Sequence, residues 1–134
     1  MDDQDKRIYE ILGKDCEHNS QNALKYFNYL KSKIKYPCRL TGMEDFPWEE
    51  KYIIGGWDQK EYEKLKNDNP SYTDEYELLE LIEPESWGDE IFVKVRRISD
   101  RKIFTIGLSW LECTDTESIN FQLIDDYAMW HTNY

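Results

Sequence analysis

The residues of this chain best suited to chemistry are carboxylates set among tryptophans, glycines and turns. Between residues 37 and 90 there are sixteen Asp and Glu against five Lys and Arg, and the whole chain has a net charge of −11. The segments on either side are each within one charge of neutral. We call residues 37–90 the acidic block, because it accounts for the charge of the chain.

Grouped carboxylates held by turns are suited to calcium, which takes about six to eight hard oxygen ligands at roughly 2.3–2.6 Å. Within the acidic block, Gly55 and Gly56 lack side chains, so their backbone carbonyls can approach a ligand closely. Carboxylates lie on both sides of this glycine pair and again after residues 67–69. The predicted calcium ligands are Glu49, Glu50, Asp58, Asp74 and Glu75.

Each predicted ligand also has a structural interpretation. Asp58 stands three residues before Glu61, which is the spacing of a helix capping box, although a capping carboxylate keeps one oxygen free. Residues 49 and 50 are adjacent, so on a strand they face opposite ways and at most one joins a given site. Residues 74 and 75 are equally typical of a solvated face. The acidic groups do not have the spacing of an EF-hand loop, and an EF-hand is excluded.

Other chemistries have little support. The sequence has no glycine-rich phosphate loop and no nucleophile elbow, and 134 residues leave little room for a substrate cleft, so we expect no enzyme. Cys16 and His18 offer two zinc ligands, but they are more typical of a loop residue beside a half-buried thiol. The three cysteines lie far apart, which argues against a disulfide framework.

The elements that must position the carboxylates change character at Pro37. Before it, apolar residues recur at helical spacing and predict a helical arm over residues 1–36. After it, the pattern predicts short strands at residues 38–41, 52–54, 76–82, 91–98 and 102–110, with a last strand or turn at 121–124. Asp58 is predicted to open a short helix that runs to about Lys66.

These elements predict an α+β fold, in which the helical arm precedes a small, mainly antiparallel SH3-like β-barrel with a short inserted helix. Residues 37–134 would form the acidic calcium-binding domain, and the whole chain one compact unit. The strands at 91–98 and 102–110 are expected to form a hairpin that turns near Asp100. One hairpin face is expected to hold Ile91, Val93, Ile103 and Thr105, and the other Phe92, Phe104 and Ile106.

Five runs of the sequence resemble a known family. They are T-G-M-E-D-F-P-W-E-E from Thr41, I-I-G-G-W-D from Ile53, N-P-S-Y-T-D-E-Y-E-L-L from Asn69, I-F-T-I-G-L-S-W-L-E from Ile103 and Q-L-I-D-D-Y-A-x-W from Gln122. These runs are similar to the small acidic calcium-binding proteins described from cyanobacteria, a CcbP-like family without EF-hands. The resemblance covers about residues 38–134. It implies a compact α+β protein that binds Ca2+ through surface carboxylates, and it assigns no individual ligands.

Two functions are consistent with the acidic block. The first is a calcium buffer or sensor, and the alternative is an acidic interaction module that docks a basic protein partner. A pI near 4.6 means that phosphate backbones are repelled, so we expect no nucleic-acid partner. The sequence has no long apolar run and no basic, apolar leader at its start, so we expect no membrane partner and a cytoplasmic location.

Overall fold

The computed structural model describes residues 2–134, which form five α-helices and one five-stranded antiparallel sheet. The helices are α1 (Asp3–Leu12), α2 (Ser20–Lys33), α3 (Glu50–Ile53), α4 (Gln59–Leu65) and α5 (Ile119–Asn133). The strands are β1 (Arg39–Gly42), β2 (Glu75–Ile82), β3 (Phe92–Arg97), β4 (Ile103–Gly107) and β5 (Leu111–Cys113). The predicted α+β class is confirmed. The predicted helical arm corresponds to α1 and α2, and Met1 lies outside the described residues.

Helices α1 and α2 pack against the C-terminal helix α5. Ile8 of α1 and Leu30 of α2 are fully buried. Arg7 donates two hydrogen bonds to the buried carboxylate of Asp126, from Nε at 2.6 Å and from Nη2 at 2.9 Å. Because the two ends of the chain are tied by a bidentate ion pair as well as by packing, α1, α2 and α5 form one helical layer.

A single hydrophobic core joins this layer to the sheet. Its aromatic centre is formed by Tyr26, Tyr127 and Trp130, whose ring centroids lie 5.3–5.8 Å apart. All five strands contribute buried side chains to the same core, among them Leu40, Leu78, Val93, Ile106 and Leu111. The sheet therefore uses one face for the core. The acidic block comprises β1, β2 and the segments that follow each of them.

The sheet has the strand order β4-β3-β2-β1-β5, and only residues 108–110, a 3-10 turn, connect its two edge strands. Four Cα steps of 3.8 Å reach at most about 15 Å, whereas five flat strands would hold the edges about 19 Å apart. The sheet must therefore be strongly curved. The predicted SH3-like barrel is not confirmed, because in residues 2–134 no ladder joins β4 to β5 and the sheet stays open.

The strand predicted at residues 52–54 and the strand or turn predicted at 121–124 are both wrong, because the two segments are helical. Residues 52–54 belong to the turn of α3 and its C-cap, where only Tyr52 is buried, so this apolar run has one inward side chain and not an alternating face. Residues 121–124 lie in α5, whose Leu123, Tyr127 and Trp130 recur at helical spacing. Ser118 begins this helix by accepting a hydrogen bond from the Asn120 N–H.

The hairpin of β3 and β4 is confirmed, including its turn near Asp100, but the predicted faces are partly wrong. Val93 lies opposite Ile106, and Val95 lies opposite Phe104, on the core side. Ile103 and Thr105 lie on the exposed side with Phe92. The turn pairs odd-numbered residues of β3 with even-numbered residues of β4, and directly paired residues share a face. Within residues 2–134, no helix is long and apolar enough to cross a membrane.

Candidate functional site

Glu49 belongs to the acidic block and has no exposed surface. Its Oε1 accepts hydrogen bonds from the Tyr62 hydroxyl at 3.0 Å and the Ser71 hydroxyl at 2.5 Å. Its Oε2 accepts from the backbone N–H groups of Phe46 at 3.2 Å and Tyr72 at 3.0 Å. A carboxylate offers about four acceptor positions, so protein donors already use those of Glu49. This carboxylate fastens residues 46–49 to α4 and to the loop before β2.

The hydroxyl of Tyr62 remains a donor to Glu49 at neutral pH. Burial, followed by the hydrogen bond to Glu49, raises the pKa of Tyr62 above its usual value. The Tyr62 ring stacks on Tyr52 of α3, with ring centroids 5.1 Å apart. The two short helices are therefore joined by an aromatic stack above a buried, hydrogen-bonded carboxylate.

Asp74 belongs to a cage of oxygen atoms around the buried guanidinium of Arg97. Arg97 donates to Asp74 Oδ2 at 3.0 Å and to both carboxylate oxygens of Asp100, at 2.8 and 3.0 Å. It also donates to three backbone carbonyls of the loop between α4 and β2, those of Lys66, Asn67 and Asn69. The positively charged guanidinium of Arg97 therefore lies in the loop where the sequence suggested a calcium site.

Asp58 and Glu75 keep more freedom. The Oδ1 atom of Asp58 accepts from the N–H groups of Lys60 and Glu61, so Asp58 is the N-cap of α4, as its spacing predicts. Among residues 2–134, its Oδ2 accepts no hydrogen bond from the protein. Glu75 is exposed, and its Oε2 lies 4.0 Å from the equally exposed Arg39 guanidinium. Such an exposed ion pair contributes little to stability.

Glu50 lies on the outer side of α3 and lines a shallow cleft with Glu44 and Asp45. Trp110, Pro47 and Ile54 form the rest of the lining. Glu44 and Glu50 are exposed, and Asp45 is half-buried. The neighbouring residues Glu49 and Glu50 thus have opposite environments, since the carboxylate of Glu49 is buried among protein donors and that of Glu50 faces solvent.

The five predicted ligands are not gathered at one point. Asp74 and Glu49 approach each other only through Ser71, which donates its N–H to Asp74 and its hydroxyl to Glu49. Asp58, Glu50 and Glu75 lie on separate elements. The ligand set therefore stays a prediction, and the structure distinguishes carboxylates held by protein donors from carboxylates that are free.

The structure brings together a different group, which the sequence analysis missed. In residues 2–134, only His18, Asp89 and His131 form a group of three or more His, Cys, Asp or Glu side chains close enough to share a metal ion. Their ligand atoms lie within 4.8 Å of one another. The sequence signalled His18 beside Cys16, but His131 lies in α5, and that segment had not been recognised as helical.

Replacing Glu49 by Ala should lower the free energy of unfolding by at least about 2 kcal/mol. Two backbone N–H groups would lose their acceptor, and each buried unpaired donor costs about 1–3 kcal/mol. The matched control is Glu50→Ala, which removes an exposed carboxylate from the next residue and should change stability by less than about 0.5 kcal/mol. Urea unfolding in EDTA and 0.15 M NaCl measures both. Equal losses of unfolding free energy in the two variants would show that the hydrogen bonds of Glu49 do not stabilise this region.

The ion pair of Asp100 with Arg97 should make stability depend on pH below 4. The hydrogen bond from Arg97 lowers the pKa of Asp100 from 3.8 to about 2. Because the folded-state pKa is the lower one, the stabilisation is complete above pH 4 and is lost as the pH falls towards 2. Urea midpoints from pH 5 to 2 should fall less steeply in Asp100→Asn than in the parent. Identical slopes would contradict this role of Asp100.

Comparison with known proteins identifies solved structures that share this fold. No protein-family model matches the chain, and no curated protein matches its sequence. Two solved structures do match, the crystal structure of Anabaena CcbP, with a TM-score of 0.58, and a calcium binding protein in the calcium-binding form, with a TM-score of 0.59. Each is 17% identical in sequence and covers 96% of this chain and 89% of its own. The chain therefore has the fold of Anabaena CcbP, in agreement with the family that its sequence resembles.

Proposed function

We propose that this protein binds calcium ions through surface carboxylates of the acidic block, without an EF-hand, and acts as a calcium buffer or sensor. The observation that carries the proposal is that Glu44, Asp45 and Glu50 line one cleft. Their carboxylates stand too far apart to share an ion as they are, so the side chains must rotate inward to bind one. Carboxylate oxygens are hard donors, and calcium accepts them at variable angles and distances. The donor set of the cleft therefore fits this ion. One of the two structures that share the fold is described as a calcium-binding form, which also favours calcium.

Electrostatic repulsion among the carboxylates supports calcium binding in the cleft. Three carboxylates on neighbouring turns repel one another when no cation is present, and a divalent ion relieves this repulsion as well as adding its own attraction. Glu44 and Glu50 are exposed, so their side chains can rotate towards a shared ion without losing buried contacts. Calcium should therefore stabilise the folded chain.

The remaining predicted ligands differ in the hydrogen bonds that they would lose on binding calcium. Asp58 and Glu75 can each contribute an oxygen without giving up a buried hydrogen bond. Glu49 and Asp74 would have to exchange protein donors for the ion. We therefore propose Glu50, with Glu44 and Asp45, as the principal ligands, and Asp58 and Glu75 as the next candidates.

The alternative function is an acidic docking module for a basic protein partner. The observation that favours it is the exposure of two tryptophans within the acidic block, since Trp87 is 81% exposed and Trp57 is 59% exposed. Trp87 lies in a groove with Glu85 and Asp89. Exposed aromatic residues beside carboxylates are suited to contact with a protein that carries Lys or Arg. This function requires no stoichiometric uptake of calcium.

Calorimetry and thermal unfolding in 0.15 M NaCl test the proposal. Calcium at a hundredfold excess over Kd should stabilise the parent by about 2.7 kcal/mol, and sodium at equal ionic strength should not. Glu50→Gln should weaken calcium binding roughly tenfold, because affinity follows the number of charged ligands. Glu83→Gln, which removes an exposed charge of the acidic block outside the cleft, is the matched control. No calcium-dependent heat or stabilisation in the parent would favour the docking module.

Asp58→Asn adds a second arm to this experiment. Asn caps a helix about as well as Asp, so α4 should keep its stability while the free Oδ2 charge is lost. A weaker calcium affinity in this variant would add Asp58 to the ligands. An unchanged affinity would show that Asp58 serves only as the cap of α4.

A further inference from the structure

Two imidazoles and two carboxylates meet on a part of the molecule that the calcium proposal does not use. His18 lies in the loop between α1 and α2, Asp89 and Glu90 lie just before β3, and His131 lies in the last turns of α5. The ligand atoms of His18, Asp89 and His131 lie within 4.8 Å of one another. These three residues are far apart in sequence, so the tertiary fold assembles the group.

The packing around the imidazoles fixes their positions. The His18 ring lies edge-on against Trp130 and His131, with centroid distances of 4.8 and 4.4 Å. Trp130 is fully buried and donates from its indole nitrogen to the carbonyl of Cys16 at 2.8 Å, which holds the loop that carries His18. His18 Nε2 lies 2.7 Å from the Asp89 carbonyl and 3.7 Å from Asp89 Oδ2. Such support limits the rearrangement needed for ligand binding.

The carboxylate of Glu90 lies beside the same group. Its Oε1 accepts a hydrogen bond from the Ser109 N–H at 3.0 Å. Its Oε2 is inaccessible to solvent and pairs with Nε2 of His131. A cation bound beside His131 would place positive charge next to this oxygen, and a carboxylate behind a ligating histidine is a common way to orient the ring.

The donor types identify the class of ion. Two imidazole nitrogens and one carboxylate suit zinc and related divalent transition metals, whereas calcium prefers an all-oxygen site. In a tetrahedral site, zinc ligands at about 2.0–2.2 Å lie roughly 3.3–3.6 Å apart, so the most widely separated ligand atoms of the group, within 4.8 Å of one another, must close by about 1.2–1.5 Å. Asp89 is more than half exposed, which leaves the site open to solvent and a further ligand.

We propose that His18, Asp89 and His131 bind a divalent transition-metal ion of the zinc class, at a site separate from the acidic cleft and supported by Glu90. Cys16 takes no part, although it lies close in sequence. Its thiol donates to the Gly13 carbonyl at 3.0 Å and is therefore already engaged with the backbone.

The test is a zinc titration of the full chain by calorimetry and by competition with a chromophoric chelator, with and without an excess of CaCl2. We expect one zinc ion per chain, with an affinity that calcium does not change. His18→Asn, His131→Asn and Asp89→Asn should each weaken zinc binding at least about tenfold. Glu85→Gln removes an exposed charge from the same loop and is the matched control for Asp89→Asn, while Cys16→Ser controls for thiol binding. Both controls should bind zinc as the parent does.

Circular dichroism verifies that each variant is folded, and Asp89→Asn keeps the test decisive if a histidine variant does not fold, because Asp89 is exposed. Cobalt offers a direct readout, since nitrogen and oxygen ligation at this site should give a visible absorption band that the histidine variants lack. No zinc uptake by the parent would overturn the proposal. Equal uptake by the folded His and Asp variants, a loss of uptake in Cys16→Ser, or displacement of zinc by calcium would also overturn it.

Discussion

The buried guanidinium of Arg97 is the interaction on which the shape of the acidic block depends. It projects from the end of β3 and donates to both oxygens of Asp100, to Asp74, and to the backbone carbonyls of three residues in the loop between α4 and β2. A guanidinium buried without such acceptors would be strongly unfavourable. The loop therefore has to fold around Arg97. In this negatively charged chain, the positive charge of Arg97 thus lies where the oxygen atoms of Asp74, Asp100 and the loop carbonyls converge.

Glu49 plays the complementary role on the other side of the same loop. It is a buried anion surrounded by donors, as Arg97 is a buried cation surrounded by acceptors. The two side chains meet through the segment from Asn69 to Asp74, since Arg97 binds its ends and Glu49 binds Ser71 and Tyr72 between them. The acidic block consequently has two kinds of carboxylate. Some maintain the fold, and others, such as Glu44 and Glu50, are free to meet a ligand.

The sequence predicted the elements whose signals are local. The helix N-cap at Asp58, the helical stripes of α1 and α2, and the β3-β4 hairpin all appear in the structure. Helix α5 was missed because it is apolar on several sides, as expected of a helix that contacts α1, α2 and the sheet, so its short apolar runs look like strands. The burial of Glu49 has no local signal, because its donors come from residues 46, 62, 71 and 72. The position of Arg97, two residues beyond Val95 on the core side, was the one available sign of a buried charge.

Free carboxylates and carboxylates engaged by protein donors should respond differently to calcium, and a calcium titration followed by two-dimensional 1H–15N NMR of the full chain tests this difference most directly. The backbone amides report on the cleft, and the Nε–H signal of Arg97 reports on the cage. This difference predicts that calcium moves the amide signals of Glu44, Asp45 and Glu50 most and leaves the Nε–H signal of Arg97 in place. Displacement of the Arg97 signal, together with the largest shifts in residues 66–74, would contradict it.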